Sequence, residues 1–226
     1  MLNYLIKDCI EFKCGFPLTC HDVVKAIDDT NQHLAQLPSS LFRAIDYKTT
    51  SAMIGCILCD HISLNSNGQA MVNPIEKGHP DILPCFSHHA TEEDLRNYPE
   101  GLEVKCTIGG VSKGASLQKA APRLSETTTI TWQAHHQEVS ELLGITYDYI
   151  NTPNGTKPII TAAFYSDNLS PNDWGEISGT TGRNTKVCGM LASGKRKMAS
   201  GWFAAVDIPG YIGQHRAINK VLSSKA

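Results

Sequence analysis

An α/β fold, a mixed central β-sheet flanked by helices, is what this sequence predicts. Three observations carry that expectation. Short apolar runs such as LEVKCTIG, LLGITYDYI and PIITAAFY, bounded by turn residues, read as buried strands. Between residues 19 and 64, capping residues open stretches that read as helices, the first with Val23, Val24, Ile27 and Leu34 on one side. Finally, 226 residues with 41% hydrophobic content are enough for one good-sized core, so a single domain over 1–226 is expected.

Taken in order, residues 1–18 read as irregular or strand-like. Thr19 is a candidate N-cap for a helix to about Leu37, which Pro38 and Ser39-Ser40 break. Ser40–Tyr47 reads as a second short helix. Thr49-Thr50-Ser51 offers a cap for a third and very apolar helix, SAMIGCILCDHISL, and Asn65–Gly68 follows as a turn. These elements make a helical N-terminal part, 1–70. A sheet-forming part, 71–165, comes next. Ala70–Leu83 is expected to be one strand bent by Pro74 and Gly78, and Gly101–Ile108 a second; the polar spacer between them has a helix start at Thr91. Leu142–Ile150 and Pro158–Tyr165 read as further strands joined by a hairpin at Thr152-Pro153-Asn154-Gly155. Asn168–Gly175 reads as a loop. In the last part, 166–226, Arg183-Asn184-Thr185 and Lys195-Arg196-Lys197 fall on expected turns, and Trp202 and Phe203 anchor a returning core strand.

The stretch with chemistry in it is Asn73–Gly109. Pro80-Asp81 follows Gly78-His79, and Glu103-Val104-Lys105 lies in a strand-like run. Residues two apart in a strand project from one face, so Glu103 and Lys105 should point the same way. Two carboxylates suit a hard cation such as Mg²⁺, held by one or two acids with waters and phosphate oxygens around it. A lysine beside them would orient water or stabilise charge on a phosphate.

Pro80-Asp81 with Glu103-x-Lys105 resembles the PD-(D/E)xK nuclease motif, and the surrounding chain resembles a type II restriction endonuclease over about two thirds of its length. The resemblance implies a restriction-endonuclease-like core and Mg²⁺-dependent, sequence-specific hydrolysis of phosphodiester bonds in double-stranded DNA. It implies that Asp81 and Glu103 hold the metal with the carbonyl of Val104, and that Lys105 attends the attacking water. Asp60, at the end of the apolar third helix, is the candidate for the further acid that many such enzymes bring near the metal. Homodimers with one half-site per subunit are also implied.

Charge distribution is consistent with DNA as partner. The net charge is −2, but Arg183–Ala226 has eight Lys/Arg against Asp207 alone, so residues before it have nine net negative charges. Lys113, Lys119 and Arg123, in the Gly/Ser/Thr-rich run 109–129, are candidate phosphate contacts. Arg183 and Asn184 are candidate base readers, with Thr185, Lys186, Lys195, Arg196 and Lys197 completing the expected DNA-binding set. No run of 18 or more apolar residues appears and the N-terminus lacks a signal-peptide layout, so a cytoplasmic protein with no membrane partner and reduced cysteines is expected. Two alternatives remain: a structure-directed repair or recombination nuclease of the same superfamily, and a non-catalytic DNA-binding module stapled by zinc on Cys56, Cys59, Cys85 and a histidine. The apolar setting of Cys56 and Cys59 favours core packing over zinc.

Overall fold

Thr19 opens the first helix, α1 (Cys20–Gln36), through a reciprocal cap. Its hydroxyl accepts from the Asp22 N–H, and the Asp22 carboxylate accepts from the Thr19 N–H at 2.9 Å. In the computed structural model, which describes residues 2–8, 10–109, 129–178 and 187–213, this helix lies over a five-stranded sheet. A short α2 (Ser39–Ala44) leads to α3 (Tyr47–Asn65). The cap of α3 is Asp46, whose carboxylate accepts from the Thr49 N–H at 2.7 Å, rather than the expected Thr49-Thr50-Ser51. Thr50 lies inside the first turn, donating to the Asp46 carbonyl. A carboxylate three residues before a free N–H satisfies one of the helix's orphan donors, and a negative charge there also suits the helix dipole.

The sheet has the order β1 (Tyr4–Ile6), β9 (Trp202–Val206), β7 (Gly155–Ser166), β6 (Leu142–Thr152), β4 (Val104–Ile108). Only the β4–β6 pair is parallel; the other three are antiparallel. The hairpin stands where the turn residues put it, but both strands run into it, pairing Thr152 with Gly155. Both faces of the sheet are covered. On one, Val23, Ile27 and Leu34 of α1 and Ile54, Leu58 and Ile62 of α3 pack on Ile145, Tyr147, Ala163 and Tyr165. On the other, Trp132, Trp174 and Met198 pack on Leu142, Ala162, Phe164 and Trp202. Alternate residues of β7 therefore serve opposite cores, and burial on both faces makes β6 and β7 near-continuous apolar runs. Where β7 meets β9 the register slips: Ala163 opposes Ala204 but Phe164 opposes Trp202. The extra residue, Phe203, falls on the same face as Ala204, as a bulge requires.

Two expected elements differ. Ala70–Leu83 is not one strand but an antiparallel pair, β2 (Ala70–Val72) and β3 (Ile82–Pro84), because Pro74, Gly78 and Pro80 interrupt the ladder between them. This pair is a separate small sheet, touching the strand side of the molecule through the bridge Ile82–Leu102. The run Lys195-Arg196-Lys197 is not on a turn but inside a helix, α5 (Ala192–Ser200), which buries Met198 and Ala199. A short helix, α4 (Glu92–Arg96), is capped by Thr91 as expected, and β5 (Gln133–Ala134) pairs with β8 (Cys188–Gly189). The central sheet runs on to β9 and takes in β1, so the helical and sheet parts interleave instead of meeting at residue 70. Among the described residues, no helix is long and apolar enough to cross a membrane.

Candidate active site

Asn73 organises the loop that presents Asp81. Its side-chain amide donates to the carbonyls of Pro80 (3.0 Å) and Leu95 (2.9 Å), and its N–H donates to the Asp81 carbonyl. Across from it, Gly101 has φ +145°, and a Cβ there would run into the Ile82 carbonyl oxygen. Glycine thus lets Leu102 and Ile82 exchange hydrogen bonds at 2.8 and 3.1 Å, which draws the start of β3 against the entry to β4. Asp81, just before β3, then faces Glu103, just before β4.

Three oxygens meet one ammonium there. Lys105 Nζ stands 3.2 Å from Asp81 Oδ2, 2.5 Å from Glu103 Oε1 and 3.2 Å from the Val104 carbonyl oxygen. The Val104 N–H donates to the same Asp81 oxygen at 2.8 Å. Glu103 is 5% exposed, Lys105 20% and Asp81 34%, so Glu103 is the most deeply enclosed of the three. Glu103 and Lys105 do reach the same side of the strand, while Cys106 packs on the core. Two carboxylates against one ammonium leave the pocket net negative. Burial pushes the Asp81 carboxyl above its ordinary range, and repulsion from Glu103 adds to it. Burial opposes ionisation of Glu103 too, but His79 and the Lys105 ammonium outweigh it and hold that carboxyl down to about 2. Burial also disfavours the Lys105 charge, yet Glu103 and Asp81 keep its pKa above the ordinary lysine value.

Two histidines join this group. His79 Nδ1 lies 3.6 Å from Glu103 Oε2, and the ring of His136 meets that of His79 edge-on with centroids 4.4 Å apart. Burial, with His79 beside it, holds the His136 imidazole below its ordinary pKa. Both rings line a cleft of about 430 Å³ with Glu103, Glu100, Glu138 and Glu141. His136 stood out in the sequence only as one of a histidine pair. The signal for His79 was its place two residues before Asp81; the peptide between it and Pro80 is cis.

Of the other candidates, Asp60 is exposed on α3 and, among the described residues, makes no hydrogen bond or ion pair with Asp81, Glu103 or Lys105. Its neighbour Cys59 is buried near enough to feel all three charges, and burial foremost pushes its thiol pKa up. Cys56 is exposed, Cys59 buried and Cys85 half-buried, and all three are free thiols. Lys195 is half-buried and Arg196 exposed on α5. Lys197 is tied down: its ammonium donates to Asp173 Oδ2 and to the Asn168 carbonyl, each at 2.6 Å. Lys113, Lys119, Arg123, Arg183, Asn184, Thr185 and Lys186 lie outside the described residues. Compared with known proteins, the chain matches no family model, no curated protein and no solved structure.

Proposed function

We propose that this chain is a Mg²⁺-dependent endonuclease of the type II restriction kind, hydrolysing phosphodiester bonds at a specific sequence in double-stranded DNA. The observation that carries the reading is the oxygen cage around Lys105 Nζ. The ammonium stands in for a cation: Asp81 Oδ2, Glu103 Oε1 and the Val104 carbonyl converge on it within 3.2 Å. An all-oxygen donor set with two carboxylates suits Mg²⁺ by charge and hardness. Asp81, Glu103 and Val104 would hold the ion, which when bound supplies charge neutralisation at a phosphate oxygen and a more acidic water.

The protein groups divide the remaining work. The Val104 N–H holds the Asp81 carboxylate in place, with Asn73 bracing the loop before it. Glu103 is buried and ionised, with Oε1 turned to the cage. Lys105 is cationic and, displaced from the cage centre when the ion binds, would hydrogen-bond a water or a non-bridging phosphate oxygen as charge builds on it. Arg196 and Lys195 on α5 would meet DNA phosphates, and two subunits would each read a half-site.

Relaxation and linearisation of a supercoiled plasmid test the reading. Wild type is expected to cut with Mg²⁺ and to stop with chelator, and Glu103→Gln should slow cutting by roughly 10²-fold or more, the scale of losing a positioned charge at a reaction centre. Cutting that survives chelator or is unchanged in Glu103→Gln would overturn the assignment. Cuts that track branched or flapped DNA regardless of sequence would favour the structure-directed nuclease.

A further inference from the structure

The two acids of the oxygen cage are braced differently. Asp81 is held by a backbone donor, the Val104 N–H at 2.8 Å. Glu103 has one more torsion to fix than an aspartate. Among the described residues its carboxylate is reached by Lys105 Nζ, 2.5 Å from Oε1, and by His79 Nδ1, 3.6 Å from Oε2. Under the proposed reading a bound ion takes the place of the Lys105 ammonium, so His79 is the group left to keep Glu103 turned to the cage.

His79 Nδ1 and Glu103 Oε2 are both shut off from solvent, and among the described residues neither has another partner. Buried polar atoms are normally satisfied, so each serves the other, with the imidazole Nδ1–H donating across a gap that a slight turn of the ring closes. The histidine is itself fixed. Its N–H donates to the Arg96 carbonyl at 3.0 Å and its carbonyl accepts from the Tyr98 N–H at 2.7 Å, which ties it to the segment leaving α4. The ring of His136 packs edge-on against its imidazole, which is 21% exposed.

We propose that His79 is a positioning residue for Glu103: its Nδ1–H holds Oε2, which keeps Oε1 aimed at the divalent cation of the cage. The proposal rests on the reading of Asp81, Glu103 and the Val104 carbonyl as the ligands of that cation. In this role His79 touches neither the ion nor DNA. Partners behind a metal ligand typically change affinity by about 10- to 100-fold.

Mn²⁺ affinity of the full chain, read by electron paramagnetic resonance, tests the role with two substitutions of opposite character. His79→Asn keeps an N–H close to the place of Nδ1 and gives up ring volume; His79→Phe keeps the volume and gives up the donor. The expected result is weakening by about 10- to 100-fold in His79→Phe and a much smaller loss in His79→Asn, with the Mg²⁺ requirement for plasmid cutting rising in the same order. A histidine that only packs would give the reverse order. That result, or an equal loss in both variants, would overturn the proposal. Wild-type affinity in His79→Phe, with binding lost in Glu103→Gln, would overturn it too and leave the cage standing. Affinity unchanged in Glu103→Gln would remove the cage and the positioning role together. The expected order in a chain that cuts no DNA would sustain the positioning role and refute the nuclease alone.

Discussion

Under the proposed reading Lys105 occupies the place where the cage would hold a metal, and that has a consequence for the residue itself. An ammonium 2.5 Å from Glu103 and 3.2 Å from Asp81 neutralises the same charge that attracts Mg²⁺, so the two compete. Lys105→Met should accordingly bind a divalent ion more tightly than wild type, by roughly tenfold for about 1.4 kcal/mol of released competition, while cutting DNA at least 10²-fold more slowly. Mn²⁺ affinity by electron paramagnetic resonance checks the first part; weaker binding in the variant would show that the lysine supports the cage instead of filling it. Glu103 and Lys105 could be placed on one face from the sequence because they stand two apart in a strand-like run, whereas Asp81, 22 residues earlier, was singled out by the resemblance of Pro80-Asp81 with Glu103-x-Lys105 to a nuclease motif. His136 was not. It lies far along the chain from His79, and only the folded arrangement of the loops brings the two rings together.

At the scale of elements, the entry to β4 and the packing of α5 are the places where a single substitution should tell most. Gly101→Ala places a Cβ against the Ile82 carbonyl at a φ of +145°, and should cost roughly 2 kcal/mol or more in denaturant unfolding along with a loss of cutting, since it pushes Asp81 away from Glu103. The second site is Asp173, whose carboxylate also accepts from the Ser170 N–H at 2.9 Å. Burial would raise its pKa, but Lys197, Ser193 and Ser170 outweigh that and lower it to about 2. A folded-state pKa below the unfolded one stabilises above about pH 4 and is lost as pH falls toward 2. Asp173→Asn should therefore lose about 2 kcal/mol at neutral pH and show a flatter stability profile through that acid window. On α5, Lys197→Ala should lower stability with little effect on DNA affinity, and Arg196→Ala should do the reverse, read by thermal unfolding and by salt-dependent DNA binding. The sequence misleads at α5 because glycine, serine and three cations in a row read as a turn; burial of Met198 and Ala199 decides for helix. It misleads at β2 and β3 for the opposite reason, apolar residues at both ends concealing a hairpin whose loop is stiffened by prolines. Thr19 as the N-cap of α1 and the turn at 152–155 were legible because their chemistry is wholly local.

Across the whole molecule, charge and topology divide the labour. The sheet, buried on both faces, is a rigid platform, and the acidic groups gather where β4 begins and along the adjoining cleft. The excess of cations falls in the last fifth of the sequence, which includes α5. Under the proposed nuclease reading, the acidic centre would hold a cation while the basic residues draw in a polyanion. The most direct measurement is digestion of a long duplex of known sequence by wild type and by Glu103→Ala, with Mg²⁺ and with chelator. The account predicts discrete fragments, ending at one recurring sequence, from wild type with Mg²⁺ alone. Intact DNA in every lane, or fragments that persist in Glu103→Ala, would contradict it.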